Sequence, residues 1–243
     1  MITLVSDEKR LFKSSVILTL FFILILWLVW FFDALFDLHL SKLGVHPGNL
    51  LGLRGILFMP FIHDTNGVGH ILSNSISLLV LVTILLNTYP KVAFKTILIV
   101  QLLSGSMVWL FAASNQYHIG ASAVVFGIAA FLFASGILRR DRVSVAVSFF
   151  VGLFYSSSIL NGLFPTEPNI SWQGHLSGVL AGLFCAFIFR KIDLPIDKTF
   201  EDEEQAEFID EDDRPFFEQL EQREDEGKVS LQSTERRDIG TYN

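Results

Sequence analysis

The chain is poor in everything that holds small secreted or metal-dependent domains together. A single cysteine, Cys185, stands inside an apolar run, so no internal disulfide can form, and a packed thiol is its simplest role. No His-Glu-x-x-His segment occurs, which removes the usual helical zinc-protease ligand set, and no metal or cofactor is expected. Charged residues make up only 18% of the 243, too few to coat a water-facing surface around so much apolar sequence. What is abundant is hydrocarbon. Hydrophobic residues are 51%, 24 residues are Phe, and the mean hydropathy is +0.49.

That composition selects the bilayer as solvent. Six apolar segments can be drawn, at about 16–36, 68–89, 92–113, 122–138, 143–163 and 173–189, near the 17–25 residues that cross the hydrocarbon as a helix. The first lacks a small-residue cleavage site and is followed by further hydrophobic helices, so it reads as a retained span. Lys9, Arg10 and Lys13 precede the first span; Lys91, Lys95, Arg139, Arg140 and Arg142 fill two connections on the same side; Arg190 and Lys191 follow the last. The opposite side holds only Lys42 and Arg54. The positive-inside bias therefore places both termini in the cytoplasm, with the plasma membrane as the expected location.

Three regions follow from this layout: a cytoplasmic segment 1–15, a six-helix membrane body 16–190, and a tail 191–243. Residues 193–243 carry a net charge of -12, whereas the preceding part carries +5. Such a tail is expected to be solvated and disordered, with Phe208, Phe216 and Phe217 available to a cytoplasmic protein partner. Anionic lipid headgroups and nucleic acid should both repel it. It is assigned no part in chemistry. Asn169-Ile170-Ser171 has glycosylation spacing but reads as a structural loop beside the membrane.

Polar residues inside the spans carry the functional signal. Ser122 opens the fourth span after the small-residue turn His118-Ile119-Gly120-Ala121, and His175 opens the sixth. Both spans run inward from outside. At about 1.5 Å per residue, Ser122 stands roughly 24 Å above Leu138 and His175 roughly 21 Å above Phe189, at similar depth. The second span also runs inward and begins with His70 and Asn74, an i, i+4 pair on one face. Three helices thus raise polar groups to the same outer third of the bilayer.

Each group has a use there. A serine hydroxyl becomes a nucleophile when an imidazole takes its proton and later returns it to the leaving amine. The developing oxyanion needs fixed donors, which the Asn74 amide, the His70 ring and backbone N–H groups at a helix start can supply. Gly174, Gly178 and Gly182 form a small-xxx-small ladder around His175, and Gly127 lies on the fourth span, so close helix approach is expected. Asp64 and His63 read as loop residues, His118 as a wall residue.

These motifs together resemble the rhomboid family of intramembrane serine proteases. Gly120-Ala121-Ser122-Ala123 is similar to its GxSG signature, Gly174-His175-Leu176-Ser177-Gly178 to its histidine motif, and His70-Ile71-Leu72-Ser73-Asn74 to its HxxxN element. The resemblance covers about 16–190. It implies a six-transmembrane-helix all-α bundle, Ser122 as nucleophile, His175 as base, an oxyanion hole of His70, Asn74 and the Ser122 N–H, and Phe126 packed on the catalytic imidazole. It also implies transmembrane protein substrates met within membrane lipid. Two places depart from the pattern: Ala123 replaces the second glycine, adding a methyl beside the nucleophile, and Leu53-Arg54 stands for a Trp-Arg pair ahead of a long 61–69 loop. The rival reading is an inactive relative that captures membrane clients. A secondary transporter fits less well, because the polar residues gather at one outer end instead of the midplane.

Overall fold

The computed structural model describes residues 2–113, 116–165 and 171–193. The acidic tail beyond 193 and the Asn169-Ile170 part of the glycosylation spacing lie outside the described residues. Seven α-helices occur among the latter: α1 (Ile2–Phe36), a four-residue α2 (Gly55–Phe58), α3 (Gly69–Thr88), α4 (Ala93–Phe111), α5 (Ser122–Arg139), α6 (Arg142–Gly162) and α7 (Trp172–Ile188). Short 3-10 turns flank α2, and the only extended pairing among the described residues is an isolated antiparallel bridge between Val45 and His118.

Five helices are long and apolar enough to cross a membrane, and α7, with 17 residues, is a shorter apolar helix. The chain is thus an all-α, multi-pass integral membrane protein. The expected segment limits agree with the helices to within one or two residues, except that α1 begins well before the expected 16. Lys9, Arg10 and Lys13 continue its helix past the apolar run, because nothing in that stretch breaks it.

Burial sorts the helices by position. In its most apolar 18-residue window, 67% of α5 is enclosed by protein, against 17% of α6, so α5 is the central post and α6 a lipid-facing wall. Phe149, Leu153 and Phe154 of α6 are mostly exposed, which costs nothing in a hydrocarbon solvent. The core joins Leu78, Leu81 and Leu85 of α3, Ile128, Phe131 and Leu132 of α5, and Ala181 and Cys185 of α7. Cys185 is fully buried there and free.

The α5–α7 crossing sets the site. A methyl on Gly178 would run into the Ala123 carbonyl, and one on Gly182 into the Gly127 carbonyl, so the two backbones touch directly. In lipid that contact is held by van der Waals packing, which only small residues permit at this range. Gly174 is different. Its added methyl would meet only the Ser171 side chain at 3.0 Å among close neighbours, so the first step of the glycine ladder serves the start of α7 and not the crossing.

At their C-terminal ends α5 and α7 are tied again. Arg139, in the last turn of α5, donates to the carbonyls of Phe189 (2.9 Å) and Ile192, filling acceptors that the end of α7 leaves free. The same guanidinium lies 4.3 Å over the Tyr89 ring. A residue expected only to orient the chain therefore also caps a neighbouring helix.

Candidate active site

One cavity of about 790 Å³ is lined by His70, Asn74, Ser122, Phe126 and His175, together with His118 and Ser171. Helix starts build it. Ser122 is the first residue of α5, His175 lies in the first turn of α7, and His70 and Asn74 occupy the first two turns of α3. Three helix N-termini therefore converge with the positive ends of their dipoles, an environment suited to negative charge.

The turn before Ser122 needs glycine on two counts. Gly120 has φ of 103°, a backbone region that L side chains avoid. A methyl there would also sit 2.8 Å from the His70 ring. The turn is anchored from below, where Gly120 N–H donates to the Met59 carbonyl at 2.8 Å. His70 therefore lies directly against the backbone that leads into Ser122.

His175 is held on two sides. Its Nδ1 lies 2.9 Å from the Gly162 carbonyl, and because a carbonyl only accepts, Nδ1 carries the proton and Nε2 keeps a lone pair. The Phe126 ring stacks on the imidazole at 4.0 Å and 9°. A methyl on Gly162 would strike both Phe126 and His175 Nδ1. Gly162 is a residue the sequence reading missed. Its place after Asn161 signals only a helix end.

No hydrogen bond joins Ser122 directly to His175, although both face the cavity; catalytic contacts are often longer in the substrate-free state. Asn74 is 4% exposed and its amide nitrogen is buried with no partner. Leaving such a donor unmade costs about 1–3 kcal/mol. An orphan donor beside the Gly120 turn is what a site for a transient anion would hold in reserve.

A second serine–histidine contact lies in the same cavity and was not foreseen. His118 Nδ1 is 2.6 Å from Ser171 Oγ, and Ser171 also accepts the Gly174 N–H at 3.1 Å as the N-cap of α7. A serine three residues before a glycine at the head of an apolar helix was a legible cap; its histidine partner, 53 positions away, was not. Burial pushes the His118 imidazole below its ordinary value.

The Ala123 methyl is turned away from the cavity that Ser122 lines. Ala123 is 3% exposed and packs with Val45, Met59 and Val108, outside the cavity lining. The α5 rotation that turns Ser122 to the cavity turns the next residue, 100° on, into the core.

His63 lies in the loop ahead of α3, as expected, but is nearly enclosed there, 2% exposed, with its ring edge-on to His70 at 5.1 Å and its Nε2 3.4 Å from the Ala121 N–H. Burial first, then the neighbouring His70, lowers its pKa to about 4. The unfolded chain takes up this proton near pH 6.5, so stability contributed by the neutral ring is complete above that value and falls as pH drops toward 4. The loss amounts to about 3 kcal/mol for the shift. Unfolding of the purified protein followed between pH 7.5 and 4 should show that decline, and His63→Gln should flatten it. An equal slope in the variant would exclude His63 as the source.

Residues 52–192 match the Rhomboid domain. The chain belongs to the rhomboid family. It is 34% identical over 176 residues to an uncharacterized protein of Mycobacterium tuberculosis, covering 69% of this chain and 72% of the relative. A Mycobacterium leprae relative, also uncharacterized, is 31% identical over 179 residues, covering 69% and 68%. A rhomboid domain whose cavity brings serine and histidine side chains together makes this chain an intramembrane serine protease, a peptide-bond hydrolase rather than a client-binding relative without chemistry.

Proposed function

We propose that Ser122 and His175 form the catalytic dyad of this rhomboid protein, with the Asn74 amide, the His70 ring and the Ser122 N–H binding the oxyanion. The observation that carries this reading is the unpartnered Asn74 amide, buried against the turn that delivers Ser122. His175 Nε2 takes the serine proton as Oγ attacks the scissile carbonyl. The same nitrogen returns it to the leaving amine, and water entering the cavity clears the acyl-enzyme. Nδ1 stays on the Gly162 carbonyl throughout, so packing and a carbonyl do the orienting that a carboxylate does in other hydrolases.

Of the two serine–histidine pairs, Ser171 is the weaker nucleophile candidate. Its oxygen already caps α7, whereas Ser122 has the Gly120 turn, His70 and Asn74 around it. Substrates are transmembrane proteins whose spans unwind near the outer face, because a fully paired helix offers no carbonyl to attack. Six spans with both termini cytoplasmic agree with the basic loops, and α7 at 17 residues reaches about 25 Å, close to one hydrocarbon thickness.

The oxyanion assignment is tested by Asn74→Ala in proteoliposomes containing a transmembrane substrate. Turnover should fall roughly 10²–10³-fold with KM nearly unchanged, the effect of losing one transition-state donor. A KM rise that accounts for the loss, or no loss, would show that Asn74 only packs α3.

A further inference from the structure

The His118–Ser171 contact joins the two segments that lead into the helices of the dyad. His118 stands four residues before Ser122, and Ser171 four residues before His175. The segment that enters α5 and the segment that enters α7 are thus joined side chain to side chain at equivalent steps. We infer that His118 and Ser171 are positioning residues, a clamp that fixes the approach of Ser122 to His175.

Three observations carry this. The His118 backbone is pinned, because its N–H donates to the Val45 carbonyl at 2.8 Å and its carbonyl accepts the Val45 N–H at 3.0 Å. His118 therefore cannot follow a drifting α7; it holds Ser171 against a fixed point. Ser171 in turn is rigidly part of α7, since its side chain takes the Gly174 N–H and its carbonyl takes the His175 N–H at 3.1 Å. Finally, the α5–α7 backbone contacts begin at Ala123 against Gly178 and continue at Gly127 against Gly182, so the segments that lead into the two helices are joined above that crossing by this hydrogen bond.

A clamp of this kind acts on the geometry of attack and not on substrate capture. A displacement of about 1 Å between reacting groups can cost roughly 10²-fold in rate. The inference rests on the reading of Ser122 and His175 as the dyad, so its test must separate the two.

The full-length protein in proteoliposomes, with His118→Phe, Ser171→Ala, the double variant and Ser171→Thr, provides that test. His118→Phe and Ser171→Ala should each lower kcat about 10–100-fold with KM within about twofold. The double variant should be no slower than the slower single, since both remove one interaction. Ser171→Thr, which keeps the hydroxyl, should recover turnover to within about threefold of wild type, a rescue that general loosening of the fold would not give. Unchanged kcat in His118→Phe, or losses that multiply in the double variant, would overturn the clamp. In parallel, a fluorophosphonate is used to label the wild-type protein, and the modified serine is located by mass spectrometry. Label on Ser122 with kcat insensitive to the clamp variants leaves the dyad and removes the clamp; label on Ser171 overturns both.

Discussion

Ser122→Ala is expected to abolish cleavage of a transmembrane substrate, by about 10⁴–10⁶-fold, while the purified protein keeps its fold. Ser122 is only half-buried and makes no hydrogen bond that α5 needs, so removing its oxygen leaves helix and crossing intact. The alanine variant should still bind substrate. The hydroxyl takes part in attack, not in the burial of the substrate span, and its loss falls on kcat. Residual cleavage near wild type would mean that another group attacks, and Ser171 would be the first to examine.

The second large effect is structural. Gly178→Ala should separate α5 from α7, because its methyl would meet a backbone carbonyl that cannot swing aside as a side chain can. Overpacking of a close interface costs typically about 1–3 kcal/mol, and here both partners are main chain, so the upper end is expected. The same displacement pulls His175 away from Ser122, and turnover should fall by more than about 10²-fold even in the fraction that remains folded. Gly152→Ala on α6 is the natural control. Its methyl would meet only the flexible Phe133 ring at 3.2 Å, and helix propensity favours alanine by about 1 kcal/mol. A Gly178→Ala protein as stable and active as the Gly152→Ala protein would show that the α5–α7 approach is looser than described.

Much of this was legible in the chain because membrane helices follow few rules. Length and apolarity located the helices, since backbone groups in hydrocarbon must pair within their own segment. Depth counting from the helix ends grouped Ser122, His175, His70 and Asn74, and all four line one cavity. Contacts that depend on helix rotation or on loop paths were not legible. The Ala123 methyl could be placed beside Ser122 along the chain, yet one helical step carries it into the core with Val45 and Met59. Gly162 and the His175 ring meet because α6 ends close to where α7 begins, a coincidence of two helix ends with no sequence spacing to announce it. His118 and Ser171 meet across 53 positions because the Val45 bridge fixes the His118 backbone and the α7 cap fixes Ser171, and no sequence spacing announces either.

The central claim, that Ser122 is the nucleophile made reactive by His175, is tested most directly by cleaving a reconstituted transmembrane substrate with wild type, His175→Ala and Ser122→Ala while locating the serine modified by a fluorophosphonate. The account predicts modification at Ser122, lost or greatly slowed in His175→Ala, together with loss of cleavage in both variants. Modification elsewhere, or cleavage that persists in Ser122→Ala, would contradict it.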